Sequence, residues 1–462
     1  MIDVDQVLQS LPRPEGFQSV SALVELAESL REQPGFEVET PGRSGDGRPI
    51  HHIRFGSGSV KALFVAGPHA NEPVGSLTVW GLLHALKQSH RQLLQADVEW
   101  HVIPCIDPDG AVFNEGWTQA PFSLERYMRQ SYLQAPGDQV DASFPIAHKR
   151  LLVERSSPEA AILRGVLDRV RPDFFFSLHN AWTGGAFYFL SRDIGEAGRA
   201  RLQALLRRQC FPLQQRPIWR EICAEYGPGA VEIFSIRKYY DYLERMSPGA
   251  EANLGFGAGS WDYLAQIKPE ALTFVAEMGY IRHPMDESER DTGENLRELK
   301  LEIDAGSQFL ASLIVAEWDK VRGSLDQTHP FHRALSGGVV VPRKENIVTG
   351  GPPLSRYPAA DVLLNAKYDH SMTESECFNA CMVDGGFMFL PSAYQFVRLL
   401  RESPQTPEVR RAIERLEPAF DRALDGIAEH VDFGAFEVVD FQTLLNVQLG
   451  SGLVALDTLL NS

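Results

Sequence analysis

Residues 60–75, VKALFVAGPHANEPVG, decide how this chain is read. The run from Val60 to Ala66 has the apolar character of a buried strand. Gly67-Pro68 ends it. Pro73 then opens an apolar-periodic helix that continues through Leu86, because proline suits the first helical turn. Between strand and helix stand His69 and Glu72. A His and a Glu three apart at such a junction can aim an imidazole nitrogen and a carboxylate at one ion. They supply two of the three protein ligands of a two-His, one-Glu zinc site, whose fourth position is left for water. The spacing is common by chance, so its weight depends on the rest of the chain.

Working outward, the best third ligand is His179. It follows Asp173-Phe174-Phe175-Phe176-Ser177-Leu178, a second apolar run that starts after Pro172, and Asn180 and Thr183-Gly184-Gly185 come next. A His at the mouth of a buried strand points at the rim of a sheet, where open α/β sheets place their sites. Taken alone, such a residue is more often a hydrogen-bonded histidine at a strand end. A further carboxylate is needed near the metal as general base. The run Ala271-Leu272-Thr273-Phe274-Val275-Ala276 delivers Glu277 just before Met278-Gly279. A Glu leaving a buried strand carries a desolvation cost unless it is paired or working.

The order of these pieces resembles the zinc carboxypeptidases related to carboxypeptidase A. Gly42-Arg43-Ser44 to Pro49-Ile50 is similar to the stretch before the first strand of that catalytic domain. Ile106-Asp107-Pro108-Asp109-Gly110 resembles its Asn-Pro-Asp-Gly turn, and Ser177-Leu178-His179 its Ser-x-His segment. Gly259-Ser260-Trp261-Asp262-Tyr263, before the Glu277 strand, resembles its Gly-Ser-x-Asp-Trp segment. The similarity runs over roughly residues 17–325 and marks a divergent, bacterial-type cytoplasmic member. It implies an α/β fold with a mixed central sheet of about eight strands flanked by helices. It implies zinc held by His69, Glu72 and His179. Glu277 would take a proton from the nucleophilic water and pass it to the leaving nitrogen. Asp141 would hydrogen-bond the first zinc histidine, His69. An Arg from Glu125-Arg126-Tyr127-Met128-Arg129 would stabilise the oxyanion. Arg129 fits better, since a bulky pair precedes it as in the family, and Arg126 competes.

One departure bears on substrate choice. The family grips a free C-terminal carboxylate with an Asn-Arg pair just after the Asp that corresponds to Asp141, and a bidentate guanidinium is the usual device for that. Here the segment reads Asp141-Ala142-Ser143-Phe144-Pro145. The family's mobile Tyr falls near Leu254, with Tyr239, Tyr240 and Tyr242 close by as substitutes. Arg237 and Lys238 are an alternative anion grip, more simply read as a solvated basic pair.

A chain of 462 residues with 44 % hydrophobic content suffices for one large domain plus an extension. The formal net charge of −17 disfavours nucleic acid and anionic membranes as partners. No signal-peptide pattern is visible at the start, and no run is expected to reach membrane-span length. Five scattered cysteines, Cys105, Cys210, Cys223, Cys377 and Cys381, suit free thiols in a reducing cytoplasm better than a disulfide framework. Cys377 and Cys381, four apart, have no evident metal partners.

The expected elements are a helix at 17–31, strands near 50–55, 60–66, 98–104, 172–178, 186–191 and 271–276, and a long helix at 290–322 resembling the family's last one. Residues 1–325 are expected to form the catalytic domain. Residues 326–462 are expected to be a mostly helical extension, with an irregular Gly- and Pro-rich stretch at 326–370 and helices at 390–401, 407–430 and 441–460. The expected function is zinc-dependent hydrolysis of an amide bond in a short peptide. The alternatives are an amidase or deacylase of acylated amino acids or cell-wall fragments, and a non-catalytic zinc-binding scaffold. Glu277 speaks against the scaffold, which needs no base.

Overall fold

The computed structural model describes residues 2–88, 90–214, 222–246, 249, 254, 256–336, 366–386 and 389–461. Nine strands build its central sheet: β1 Phe36–Arg43, β2 Pro49–Phe55, β3 Val60–Ala66, β4 Val98–Ile103, β5 Phe174–Leu178, β6 Phe187–Leu190, β7 Glu225–Gly227, β8 Ala230–Glu232 and β9 Leu272–Glu277. Their order is β1-β2-β4-β3-β5-β9-β6-β8-β7. The four inner strands β4, β3, β5 and β9 run parallel. Antiparallel neighbours flank them on both sides, β2 beside β4 and β6 beside β9. The mixed, helix-flanked sheet is the expected one. The six strands predicted from apolar runs are all present. Those not predicted are β1, an exposed edge strand, and the three-residue β7 and β8, which carry no apolar run.

Both faces of the inner strands are covered, which is why they read as continuous apolar runs. Along β3, Ala62, Phe64 and Ala66 enter one core, while Leu63 and Val65 enter the other. The helices used below are α1 Val4–Ser10, α2 Val20–Ser29, α3 Val74–Lys87, α4 Pro108–Thr118, α5 Leu124–Gln130, α6 Pro158–Val170, α7 Gly195–Arg208, α8 Ser260–Ile267, α9 Leu296–Val321, α10 Leu390–Glu402, α11 Pro407–Ala428 and α12 Phe441–Leu460. On the first face, α12 lies between α3 and α7 and touches β5 and β9. A Cβ on Gly452 would fall 2.4 Å from the Phe176 ring, so α12 reaches this close to the sheet only because the residue is glycine.

That placement bears on two expectations. The long helix α9, expected at 290–322, packs on α11. The helix that covers the sheet is α12, from the far end of the chain. Residues before and after 326 therefore contribute to one continuous hydrophobic core. Secondly, α12 is 20 residues long with mean hydropathy 1.3, enough to cross a membrane by length and composition. Here 72 % of that stretch is buried within the protein. The Gly- and Pro-rich positions expected at 337–365 lie outside the described residues.

Candidate metal centre

The parallel register brings three strand ends level. Ala66 of β3 pairs with Leu178 of β5, and Phe274 of β9 pairs with Phe176 of β5. Counting on, Gly67, His179 and Glu277 reach the same rim. Gly67 turns the chain with φ of 70°, a left-handed conformation that favours glycine. His69 and Glu72 follow in that turn. Glu72 sits just before α3, where the helix dipole favours a carboxylate. Pro73 gives α3 no side-chain cap. The missing cap is supplied across the rim, because the Val74 amide donates to Asn180 Oδ1 at 2.9 Å.

Ligand atoms of His69, Glu72 and His179 lie within 4.8 Å of one another. The imidazole planes of His69 and His179 are 4.8 Å apart at their centroids and tilted by 58°. His179 Nδ1 faces Glu72 Oε2 at 3.1 Å, and its Nε2 faces Asp141 Oδ2 at 3.2 Å. The Asn180 amide also donates to Glu72 Oε2, at 3.2 Å. Asp141 is tied down further, accepting from Ser177 Oγ at 2.9 Å and from the Ser260 amide at the start of α8 at 3.0 Å. Asp141 thus hydrogen-bonds His179 and not His69, the histidine expected. The reason is positional: β5 carries both Ser177 and His179 to the Asp141 carboxylate.

Charge in this cluster is strongly coupled. Burial opposes the ionised forms throughout, but the carboxylates of Glu72 and Asp141 outweigh it at His179 and hold that imidazole well above its ordinary pKa. Against the same burial, the two histidines keep Glu72 below the usual carboxylate range. Asp141 is lowered in the same way, chiefly by His179. His69 is lowered by burial. Glu277 is pushed up to about 8 by burial and by the charge of Glu72, with His179 partly offsetting them. A buried and a half-buried carboxylate facing one protonated imidazole leave negative charge uncompensated. A divalent cation between two imidazoles and a carboxylate would compensate it, and that donor set suits zinc.

The proposed oxyanion residues are placed elsewhere. Arg129 pairs with Glu125 at 3.1 Å and Asp421 at 2.9 Å, and lies over the Tyr394 ring. Arg126 donates to the Pro121 carbonyl. Neither touches His69, Glu72, His179 or Glu277 among the described residues. Helix α5 turns its buried Tyr127 toward that side instead, where Glu72 raises the phenol pKa further after burial. Packing of α5 on α10 dictates this rotation.

The other candidates resolve simply. Arg237 donates to the Ala147 carbonyl at 3.2 Å, and Lys238 pairs with Glu232 at 2.5 Å. All five cysteines are free thiols. Leu254 and Tyr240 are buried. Two residues near the centre were not singled out from the sequence. Trp261 sets its ring 6.0 Å from that of His179. Gln448 of α12 donates to the His179 carbonyl at 2.5 Å. A polar side chain within the leucine-rich run 444–456 was the available signal for Gln448, since buried polar groups are usually engaged.

Residues 23–144 match the sequence profile of the family described as zinc carboxypeptidase. No curated protein matches the chain. Similar solved structures include a metallo-carboxypeptidase from Burkholderia cenocepacia, at 16 % identity and TM-score 0.36, covering 57 % of this chain and 60 % of that one. A metallo-carboxypeptidase from Pseudomonas aeruginosa has 18 % identity and TM-score 0.37, with 57 % and 60 % covered. Murein-tripeptide amidase MpaA from Escherichia coli O157 has 18 % identity and TM-score 0.29, with 53 % and 83 % covered. The chain spans about 60 % of the length of the first of these structures. The profile match contains His69, Glu72 and Asp141, whereas His179 and Glu277 lie beyond it. Over residues 23–144 the chain is similar to the zinc carboxypeptidases.

Proposed function

We propose that this protein is a zinc-dependent hydrolase that cleaves an amide bond in a short peptide. The observation that carries the reading is the convergence of His69, Glu72 and His179 within 4.8 Å, on the rim where β9 delivers Glu277. His69, Glu72 and His179 would hold the metal. Zinc, when bound, supplies a Lewis acid for a carbonyl and for water. Glu277 accepts the proton of the attacking water and returns it to the leaving nitrogen. Burial and Glu72 raise its pKa in the metal-free protein, and a nearby cation would bring it back toward the ionised form in which it accepts a proton. Asp141 fixes the His179 ring through Nε2 and leaves Nδ1 on the metal side.

A second reading, an amidase or deacylase of small acylated amino acids or cell-wall fragments, is favoured by the segment after Asp141. Phe144 is fully buried and exchanges backbone hydrogen bonds with Ala258, and Ser143 is buried against Ser157. No cation stands in 142–145 to meet a carboxylate. The test is a screen of zinc-loaded protein against peptides and acyl-amino acids, each with free and amidated C-termini. Hydrolysis of either class, abolished by chelation and restored by zinc, is the expected result. Stoichiometric zinc without turnover of any substrate would favour the scaffold reading.

A further inference from the structure

We propose that Gln448 is a positioning residue for His179, so that the last helix is a working part of the metal centre. The inference rests on the zinc reading above and adds a residue that lies 304 positions past the end of the family match at 144. Gln448 is wholly buried on α12. Its Nε2 donates to the His179 carbonyl at 2.5 Å, and its Oε1 accepts from Thr78 Oγ1 at 2.6 Å. Thr78 is also wholly buried, one turn into α3, the helix that Glu72 precedes.

The chemistry fixes the amide orientation. A backbone carbonyl only accepts, so the NH₂ must face His179, and the Thr78 hydroxyl then donates to the remaining oxygen. Gln448 thereby bridges the end of β5 to α3, the two elements that present His179 and Glu72. The bridge falls where the sheet can no longer help. The β3–β5 ladder ends at the Ala66–Leu178 pair. The His179 carbonyl lies one residue beyond it, buried, and Gln448 is the donor it finds. An unmet buried carbonyl is costly, so without Gln448 this peptide would turn to find another partner. The His179 ring turns with it, and Nδ1 leaves its place 3.1 Å from Glu72. Asn180 holds the next residue by its own bonds to Glu72 and Val74. The His179–Asn180 pair is therefore clamped from both sides, and only the Gln448 clamp comes from α12.

Zinc dissociation constants measured by chelator competition, with apo-protein melting temperatures alongside, test this. Gln448→Leu keeps the bulk and removes both hydrogen bonds. It is expected to weaken zinc binding by about 10- to 100-fold, the usual effect of losing a residue that orients a ligand. Thr78→Val leaves Gln448 in place but frees its amide to rotate, with an expected weakening of about 3- to 10-fold. Leu453→Ala, at a fully buried apolar position of the same helix, should lower the apo melting temperature and leave zinc affinity within about twofold of the parent. Cobalt(II) spectra of Gln448→Leu should differ from those of the parent, reporting a displaced ligand. Parent-like zinc affinity in Thr78→Val and in folded Gln448→Leu overturns the proposal alone. An equal loss of affinity in Leu453→Ala also overturns it, since general destabilisation would then suffice. If Gln448→Leu does not fold, Thr78→Val decides. Failure of the parent to bind zinc overturns both this inference and the metal reading.

Discussion

Two places in this sheet hold a pair of histidines among carboxylates, and among the described residues only one of them brings its donor atoms together at a point. At the rim, His69, Glu72 and His179 come from turns that fold back over the strand ends, and their donor atoms converge within 4.8 Å. On the sheet itself, His52 of β2 and His101 of β4 stack at 5.1 Å with planes only 8° apart. Their hydrogen bonds run in a line, Glu39 to His52 at 2.6 Å, His52 to His101 at 3.0 Å, and His101 to Glu99 at 2.9 Å. Every ring nitrogen is already used. Side chains on neighbouring strands stand parallel, whereas loops can aim theirs at a point. The lesson is that residue types do not define a metal site; convergence of their free lone pairs does.

The sharpest way to break the comparison is to exchange its terms. His179→Ala should abolish stoichiometric zinc binding, and His101→Ala should leave it intact, both read by metal analysis after dialysis. Zinc retained by the first variant or lost by the second would mean that the ion sits in the linear cluster. The next effect is on turnover. Glu277→Gln is expected to keep zinc and lose at least about 10²-fold in kcat, the lower range for general acid–base catalysis. Glu99→Gln, at the end of the linear chain, should leave kcat within about twofold. Near-normal turnover by Glu277→Gln would remove the base from the proposed mechanism.

The same contrast explains what could be read in advance. His69 and Glu72 are legible because they are three residues apart and bracketed by a strand and a helix with clear patterns. His179 and Glu277 are legible because each ends an apolar run. Arg129 was misplaced because its direction depends on how α5 rotates against α10, and the partners that hold it, Tyr394 and Asp421, are more than 260 residues away. The place of α12 on the sheet was hidden for a related reason, since α9 and α12 look alike in sequence. Both are long and rich in leucine, and periodicity does not say which one buries against the sheet. Gly450 and Gly452, which let α12 approach Leu205 and Phe176, carry that information only once the sheet is in place. Edge strand β1 escaped notice because most of its positions face solvent.

Acid should also separate the two clusters. His101 is driven down to about 4, first by burial and then by its neighbour His52, despite its bond to Glu99. Between its ordinary value of 6.5 and that value, the unfolded chain binds a proton that the folded protein refuses. Its share of stability is therefore complete above pH 6.5 and is lost as pH falls toward 4. The loss is at most roughly 3 kcal/mol. In metal-free protein, the drop in melting temperature from pH 7 to pH 4.5 should be smaller for His101→Gln than for the parent. An unchanged or steeper drop would show that the linear pair holds its proton at neutral pH.

The smallest expected effect concerns what the rim lacks and the sheet cluster has. Arg54 and Arg169 sit beside the linear histidines, spent on Glu37, Glu99 and Glu39. After Asp141 the rim offers Ala142, Ser143, Phe144 and Pro145, with Phe144 locked by its backbone to Ala258. A site built around a buried guanidinium rejects an amidated C-terminus because the cation is left unpaired. Without that cation the penalty shrinks. Peptides with free and amidated C-termini should therefore differ by less than about tenfold in kcat/KM, under roughly 1.4 kcal/mol. A larger preference for the free acid would mean that a cation from outside this segment reaches the substrate. Arg237 is the first to test, because it donates to the Ala147 carbonyl and forms no salt bridge among the described residues. If Arg237→Gln then erased the preference, the carboxypeptidase reading would stand over the amidase one.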